Sequence, residues 1–459
     1  MPVTTVTTVT PVTTYWAEHA WLPHEGGPVV ERDVLIAVGS DGRIERVTPD
    51  SGPCPAGAVR LAGLLLPGQA NAHSHAFHRA LRGHVQIGSG TFWTWRDTMY
   101  RFAGALDPDS YLALATAVYA EMALAGITSV GEFHYLHHAP GGVAYQDPNA
   151  MGHALIEAAA RAGIRITLLD TCYLSSGFGA APNETQLRFS DGDAERWAAR
   201  AAELKGAEHA RIGAAVHSVR AVPAEQLGTV AQFSALREAP LHVHLSEQTA
   251  ENEACLAAHG VTPTRLLADH GVLGPRTSAV HATHLTDEDI QLLSSTRTTV
   301  CMCPTTERDL ADGIGPARQL ASAGSPLSLG SDSHAVIDPF EEARALELDE
   351  RLRTRTRGHW TAAALLCAGT EDGHASLGWP EAGRVAAGSF ADFTVIALDS
   401  VRTAGPRPSY GAETAVFAAS AADVRHVVVG GRHIVKDGVH QLVADVPAAL
   451  RDSIAALQS

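Results

Sequence analysis

Leu64-Leu65-Leu66-Pro67-Gly68-Gln69-Ala70-Asn71-Ala72-His73-Ser74-His75 is the stretch on which the fold of this chain turns. An apolar run ends in His-x-His. Residues two apart on a β-strand project from one face, so His73 and His75 can present two imidazoles to a single point at a strand end. Histidine pairs are common on surfaces, and this one gains weight from residues further along the chain. His244 stands in His242-Val243-His244-Leu245-Ser246-Glu247, His281 and His284 in Val280-His281-Ala282-Thr283-His284, and Asp332 in Leu329-Gly330-Ser331-Asp332. Each of these also closes an apolar, strand-like run.

Between residues 64 and 333, helix-like and strand-like segments alternate. Asp107-Pro108 supplies an N-cap and a first-turn proline for a helix through Tyr111 to Leu124. Further strands are expected at Ile127 to Phe133, Ile164 to Thr171, Ala210 to Ser218, Leu241 to Glu247, Thr277 to Leu285, Thr298 to Pro304 and Pro326 to Ser333. With the run ending at His75 they number eight. Eight β/α units in series point to a closed (β/α)8 TIM-type barrel with its chemistry at the C-terminal strand ends. A doubly wound open sheet is the alternative, and it would spread the histidines along an edge.

The flanks are β-rich. Asp33 to Val38 and Arg43 to Val47 form a hairpin, and Val424 to Val429 turns through Gly430-Gly431 into Arg432 to Val435. Neither end reads as able to fold alone. The expected organisation is a small β-sandwich domain built from residues 1–64 and 381–459 beside a barrel of residues 65–380.

Of the 459 residues, 45% are hydrophobic and 18% charged, with a formal net charge of -16. That balance argues against nucleic acid or an anionic membrane as partner. The first dozen residues, rich in Thr and Val, read as a frayed tail and not as a signal peptide, and no apolar stretch is long enough to span a bilayer. Six cysteines lie scattered without Cys-x-x-Cys spacing, which suits a reducing compartment. A cytoplasmic location is the expectation.

Three imidazoles and one carboxylate, with water completing the shell, make a borderline-hard set suited to Zn2+ or Fe2+. His242 and His284 read more simply as hydrogen-bonded core or supporting histidines. Cys301-Met302-Cys303 reads as buried strand.

In this order and at these strand ends, the residues resemble the amidohydrolase superfamily, over essentially the whole chain. The resemblance implies one ion per chain held by His73, His75, His244 and Asp332. Many members hold two metals bridged by a carbamylated lysine after strand four. Here that strand ends Ala215-Val216-His217-Ser218, and the only lysines are Lys205 and Lys436, so a single metal is expected. Glu247, three residues after His244, is similar to the proton-shuttling glutamate of the deaminase branch. The resemblance further implies that Asp332 and His281 orient the attacking water and take its proton, while Glu247 protonates the leaving nitrogen. His281 rather than His284 holds the family's strand-six position.

Outside this set, Ala76-Phe77-His78-Arg79, Phe92-Trp93-Thr94-Trp95-Arg96, Glu132-Phe133-His134-Tyr135 and His217-Ser218-Val219-Arg220 resemble the formimidoylglutamate deiminases, which convert N-formimidoyl-L-glutamate to N-formyl-L-glutamate and ammonia in histidine breakdown. The implied partner is a small amidine carrying two carboxylates, with a homodimeric enzyme. Two carboxylates call for forked guanidinium donors, which Arg96 and Arg220 supply, with Tyr135 and His217 as neutral donors. His78 occupies a position where glutamine is common in that family, and its charge would vary near neutral pH. Thr305-Thr306-Glu307-Arg308-Asp309 is also more charged than the family pattern. Two other readings stay open. One is an aminohydrolase of a nucleobase or nucleoside that would not need Arg96 or Arg220. The other is a non-catalytic assembly protein, against which the complete set of His, Asp and Glu residues argues.

Overall fold

The computed structural model describes residues 13–87 and 92–458, with only the backbone of residues 92 and 93. The tail expected over the first dozen residues, and the side chains of Phe92 and Trp93, lie outside the described residues. Five strands carry the chain into the barrel: β1 (Thr13–Leu22), β2 (Val29–Val38), β3 (Ile44–Thr48), β4 (Val59–Pro67) and β5 (Gln69–Ser74). The barrel continues through β6 (Ile127–His134), β7 (Arg165–Cys172), β8 (Ala210–Val216), β9 (Leu241–Leu245), β10 (Thr277–His281), β11 (Thr299–Met302) and β12 (Leu327–Leu329). The chain then returns through β13 (Phe393–Ile396), β14 (Val424–Val429), β15 (Arg432–Lys436) and β16 (Val439–His440).

Strands β5 to β12 pair in parallel and in chain order. Every residue of β6 and β7 is buried, as expected for strands covered by side chains on one face and helices on the other. Ser74 bridges to Asp332 in parallel and joins the two ends of the sheet into a barrel. The connecting helices stop and start where local chemistry dictates. Asp107 caps Pro108–Leu124 in a reciprocal capping box with Ser110, and Ala150–Ala162 ends at Gly163 with φ 80°.

The chain ends form one mixed sheet in the order β16-β15-β14-β13-β4-β1-β2-β3. It surrounds its own apolar core, which includes Tyr15, Ile36, Leu61 and Phe393. The sheet curls until the β2–β3 turn meets the β14–β15 turn. There a Cβ on Gly42 (φ +72°) would lie 2.7 Å from the Gly430 carbonyl oxygen. Arg165 of β7 donates to Asp392 at 2.9 Å in a buried ion pair that fastens the small sheet to the barrel.

Two strands end four residues sooner than the hydrophobic pattern predicts. β10 stops at His281 instead of Leu285, and β12 stops at Leu329 instead of Ser333. At both places the chain enters left-handed conformations: His281 at φ 69°, Ala282 at φ 50°, Asp332 at φ 41° and His334 at φ 57°. Such backbone is costly for residues with a Cβ and persists where surrounding contacts hold it. The apolar runs continue because these turns are buried, not because the ladder does. No helix among the described residues is long and apolar enough to cross a membrane.

Candidate active site

His73, Ser74 and His75 leave β5 at the barrel mouth. Their backbone is tied to the eighth strand's exit: the Asp332 amide donates to His73 O at 3.0 Å, and the His75 amide donates to Asp332 O at 3.3 Å. Glu132, buried at the end of β6, accepts from Ser74 Oγ at 2.6 Å and from the Ala76 amide at 2.7 Å, gripping the segment from the other side. Gly330 lets the eighth strand approach, since a Cβ there would lie 2.7 Å from His73 Cβ and 2.9 Å from its backbone nitrogen.

One nitrogen or oxygen from each of His73, His75, His244 and Asp332 falls within 4.8 Å of the others. Asp332 Oδ1 lies 3.3 Å from His73 Nε2 and 3.4 Å from His75 Nε2, while His244 Nε2 lies 3.1 Å from His73 Nε2. The far ring nitrogens of two of these histidines are anchored on carbonyls, His75 Nδ1 on Phe133 O and His244 Nδ1 on His217 O, both at 2.9 Å. Those contacts set the tautomer that aims Nε2 lone pairs inward. Burial, reinforced by the neighbouring His73, holds His75 down at about 3 and His244 well below its ordinary value. His73 is also lowered, again chiefly by burial. Burial works against the Asp332 carboxylate, but His73, with His281 and His75, outweighs it and keeps the group well below the usual range. Neutral imidazoles with converging lone pairs beside an ionised carboxylate are the donor set a divalent zinc or iron ion takes, and the residues fit such an ion.

A second group of possible ligands, His134, His137 and Asp170, is also buried. Its carboxylate is already occupied: Asp170 accepts from Arg200 at 2.9 Å on each oxygen and from Trp197 Nε1 at 2.8 Å. That group is an ion-pair network.

A cavity opens over the first quartet. His78, Arg96, Tyr135, His217, Arg220, Glu247 and His281, all singled out from the sequence, line it together with His75, His244 and Asp332. His281 Nε2 lies 3.9 Å from Glu247 Oε1 and 3.8 Å from Asp332 Oδ2. Burial opposes the His281 imidazolium, but the carboxylates of Glu247, Glu307 and Asp332 outweigh it and raise the group well above its ordinary value. Burial raises the Glu247 carboxyl against the opposing charge of His281, and Asp332 adds to the rise. His78 Nε2 stands 3.1 Å from Tyr135 Oη, and burial holds its imidazole well below the ordinary value. That burial disfavours the charged ring expected to come and go near neutral pH.

Of the remaining histidines, His242 faces away from this cavity and bonds Ser376 O at 3.2 Å. His284 lies beyond β10, its amide donating to Ser246 O at 3.0 Å. Neither lines the cavity. Cys301 and Cys303 are buried free thiols. Strand β8 ends at Val216 and is followed by His217 at the cavity wall, where a bridging lysine would have to stand.

Several residues at the site escape a reading of the sequence. Glu307 Oε1 lies 3.4 Å from His281 Nδ1 and accepts from the Cys303 amide at 2.9 Å. Its only sequence signal is the unusual charge of the segment after the seventh strand. Arg188, almost wholly buried, donates to His138 O at 2.8 Å and Leu106 O at 2.6 Å, and also to Ala103 O. Two residues away, Gln186 donates to Tyr100 Oη at 2.9 Å and Tyr173 Oη at 2.7 Å. These two pegs hold the helix Phe92–Ala105, which carries Trp95 and Arg96, against the cavity. The segment Ser176 to Ala180 is closed on itself by a Ser176 amide to Ala180 O bond of 3.0 Å.

Residues 64–434 match the amidohydrolase family model. A formimidoylglutamate deiminase of Pseudomonas aeruginosa is 36% identical over 439 residues, covering 93% of this chain and 95% of that protein. An 8-oxoguanine deaminase of the same organism is 30% identical over 421 residues, covering 90% of each. Among solved structures, an amidohydrolase from Brucella melitensis superposes with a TM-score of 0.89 at 34% identity, covering 97% of this chain and 100% of that one.

Proposed function

The chain belongs to the amidohydrolase family, and from that premise we propose that it hydrolyses N-formimidoyl-L-glutamate to N-formyl-L-glutamate and ammonia, using one zinc ion held by His73, His75, His244 and Asp332. The observation that carries the reading is the presence of Arg96 and Arg220 in one cavity with the histidine–aspartate quartet and Glu247. An amidine at one end of the substrate meets proton-transfer groups, and carboxylates at the other end meet guanidinium forks. The similarity to the Pseudomonas deiminase supports the same substrate.

The ion, when bound, supplies Lewis acidity that brings the pKa of a coordinated water down toward ~7. The chain's own groups do the remaining work. Asp332 and His281 orient the attacking water and accept its proton at Oδ2 and Nε2, which lie 3.8 Å apart. Glu247, whose carboxyl burial pushes upward, delivers a proton to the departing nitrogen. Tyr135 and His217 donate from the wall, and Arg96 and Arg220 bind the carboxylates. The aromatic walls around Tyr173 and Phe189, with the 8-oxoguanine deaminase relative, favour a nucleobase aminohydrolase as the second reading.

Ammonia release from N-formimidoyl-L-glutamate, its aspartate analogue, guanine and adenosine separates the two. Turnover of the first with little of the purines is the expected result, together with about one ion per chain and loss of activity on chelation. Arg220→Met should raise KM for the first compound by roughly tenfold or more, the worth of one hydrogen-bonded charge. Purine turnover insensitive to that substitution would overturn the assignment.

A further inference from the structure

Arg220 does not enter the cavity as an unpaired cation. Its Nε donates to Glu251 Oε2 at 2.7 Å. The other oxygen of the same carboxylate, Oε1, accepts from the Ser246 amide at 3.0 Å. Ser246 is the left-handed residue (φ 48°) at which the chain turns out of β9, immediately before Glu247. Glu251 itself is buried, in the first turn of the helix Thr249–His259, where the helix dipole favours a negative charge. One carboxylate therefore joins the loop after β8, which carries Arg220, to the turn after β9, which carries Glu247.

We propose that Glu251 is a positioning residue for substrate selection: it fixes the Arg220 guanidinium so that its Nη edge faces the cavity as a binder of the substrate's carboxylate. The inference rests on the dicarboxylate reading given above. An arginine side chain has many rotamers, and holding Nε removes that freedom before substrate arrives. Burial disfavours the Arg220 charge, and the Glu251 carboxylate outweighs it. The pairing also keeps the empty cavity from holding an uncompensated buried cation.

The chemistry of the side chain makes the role separable. A carboxylate offers two acceptors, and Glu251 uses one for each partner. Glutamine offers one acceptor and one donor. Glu251→Gln can keep the Ser246 amide bonded, and with it the Glu247 turn, but it then turns an NH2 group toward the guanidinium. The expected defect is in binding, not in chemistry.

The test uses the metal-loaded full chain, with glutarate as a non-reacting dicarboxylate probe. In Glu251→Gln, KM for N-formimidoyl-L-glutamate and Kd for glutarate should rise by the same factor, about tenfold or more, while kcat stays within about threefold. In an Arg220→Gln background, adding Glu251→Gln should raise neither constant further, because the two residues act as one unit. Should Glu251→Gln not fold, Glu251→Asp serves: it keeps the charge, is one methylene too short to reach both partners, and should raise the glutarate Kd. Unchanged Kd in either variant overturns the proposal, as does an undiminished effect in the Arg220→Gln background. Failure of the wild type to bind glutarate removes the carboxylate clamp and this role with it. Failure of the wild type to release ammonia from N-formimidoyl-L-glutamate, with glutarate still bound and sensitive to Glu251, would sink the deiminase reading and leave the positioning role standing.

Discussion

Glu307 faces His281 from the side opposite the reaction, its Oε1 3.4 Å from His281 Nδ1. Nε2 of the same ring looks toward Glu247 and Asp332. The imidazole is therefore bracketed by carboxylates, with Glu307 itself held by the Cys303 amide.

Glu307→Gln keeps an acceptor for Cys303 but withdraws a negative charge from His281. The Glu307 carboxylate favours the imidazolium, so its loss lowers the His281 pKa. A base that must be neutral then becomes available at lower pH. The acid limb of the kcat/KM profile should shift downward, and kcat should fall by roughly tenfold, a part of the 10²–10⁴ that an acid–base group contributes. An acid limb that stays in place in a folded variant would show that Glu307 does not act on His281.

Gly330 is the point at which the eighth strand touches the first metal-site histidine. A methyl group at 2.7 Å from His73 Cβ cannot be accommodated by rotating a side chain, because His73 N and O are also within about 3 Å. Gly330→Ala should push His73 out of line with Asp332, with metal content well below that of the wild type and activity reduced about 100-fold, the cost of an ångström-scale misplacement. Elemental analysis beside circular dichroism checks this; full metal occupancy in the variant would refute it.

Glu132 supplies a pH dependence of stability. Burial pushes its carboxyl up to about 7, against 4.5 for an ordinary glutamate. The folded chain thus binds this proton more tightly than the unfolded chain. Its contribution is full below about pH 4.5 and is lost as pH rises to about 7. The stability difference between wild type and Glu132→Gln should fall by about 3 kcal/mol across that window and level off above it. Denaturant titrations of both proteins at matched pH and zinc concentration measure the difference; a flat difference would place the Glu132 proton elsewhere.

Some parts of the site are legible in the sequence because their partners share a strand or a short turn, and others, such as Arg96 and Arg220, through the resemblance their segments carry. His73 and His75 announce themselves because a strand puts alternate residues on one face. Glu247 stands three residues from His244. Glu251 and Glu307 were not legible, although both lie near recognised segments. Nothing in the spacing of Arg220 and Glu251, 31 residues apart, implies a 2.7 Å contact. Acidic residues near helix starts are also common for reasons of the dipole alone.

Local regularities accordingly determined the order of strands and helices, the cap at Asp107 and the barrel class. Hydrophobic period and turn chemistry act over a few residues and are written directly into the chain. Only the closed barrel decided that Asp332 leaves the ladder at φ 41° to bridge Ser74, and that buried carboxylates steady Arg220 and His281. Those outcomes depend on which groups meet once water is excluded, and a buried charge finds its partner by proximity in space, whatever the distance along the chain.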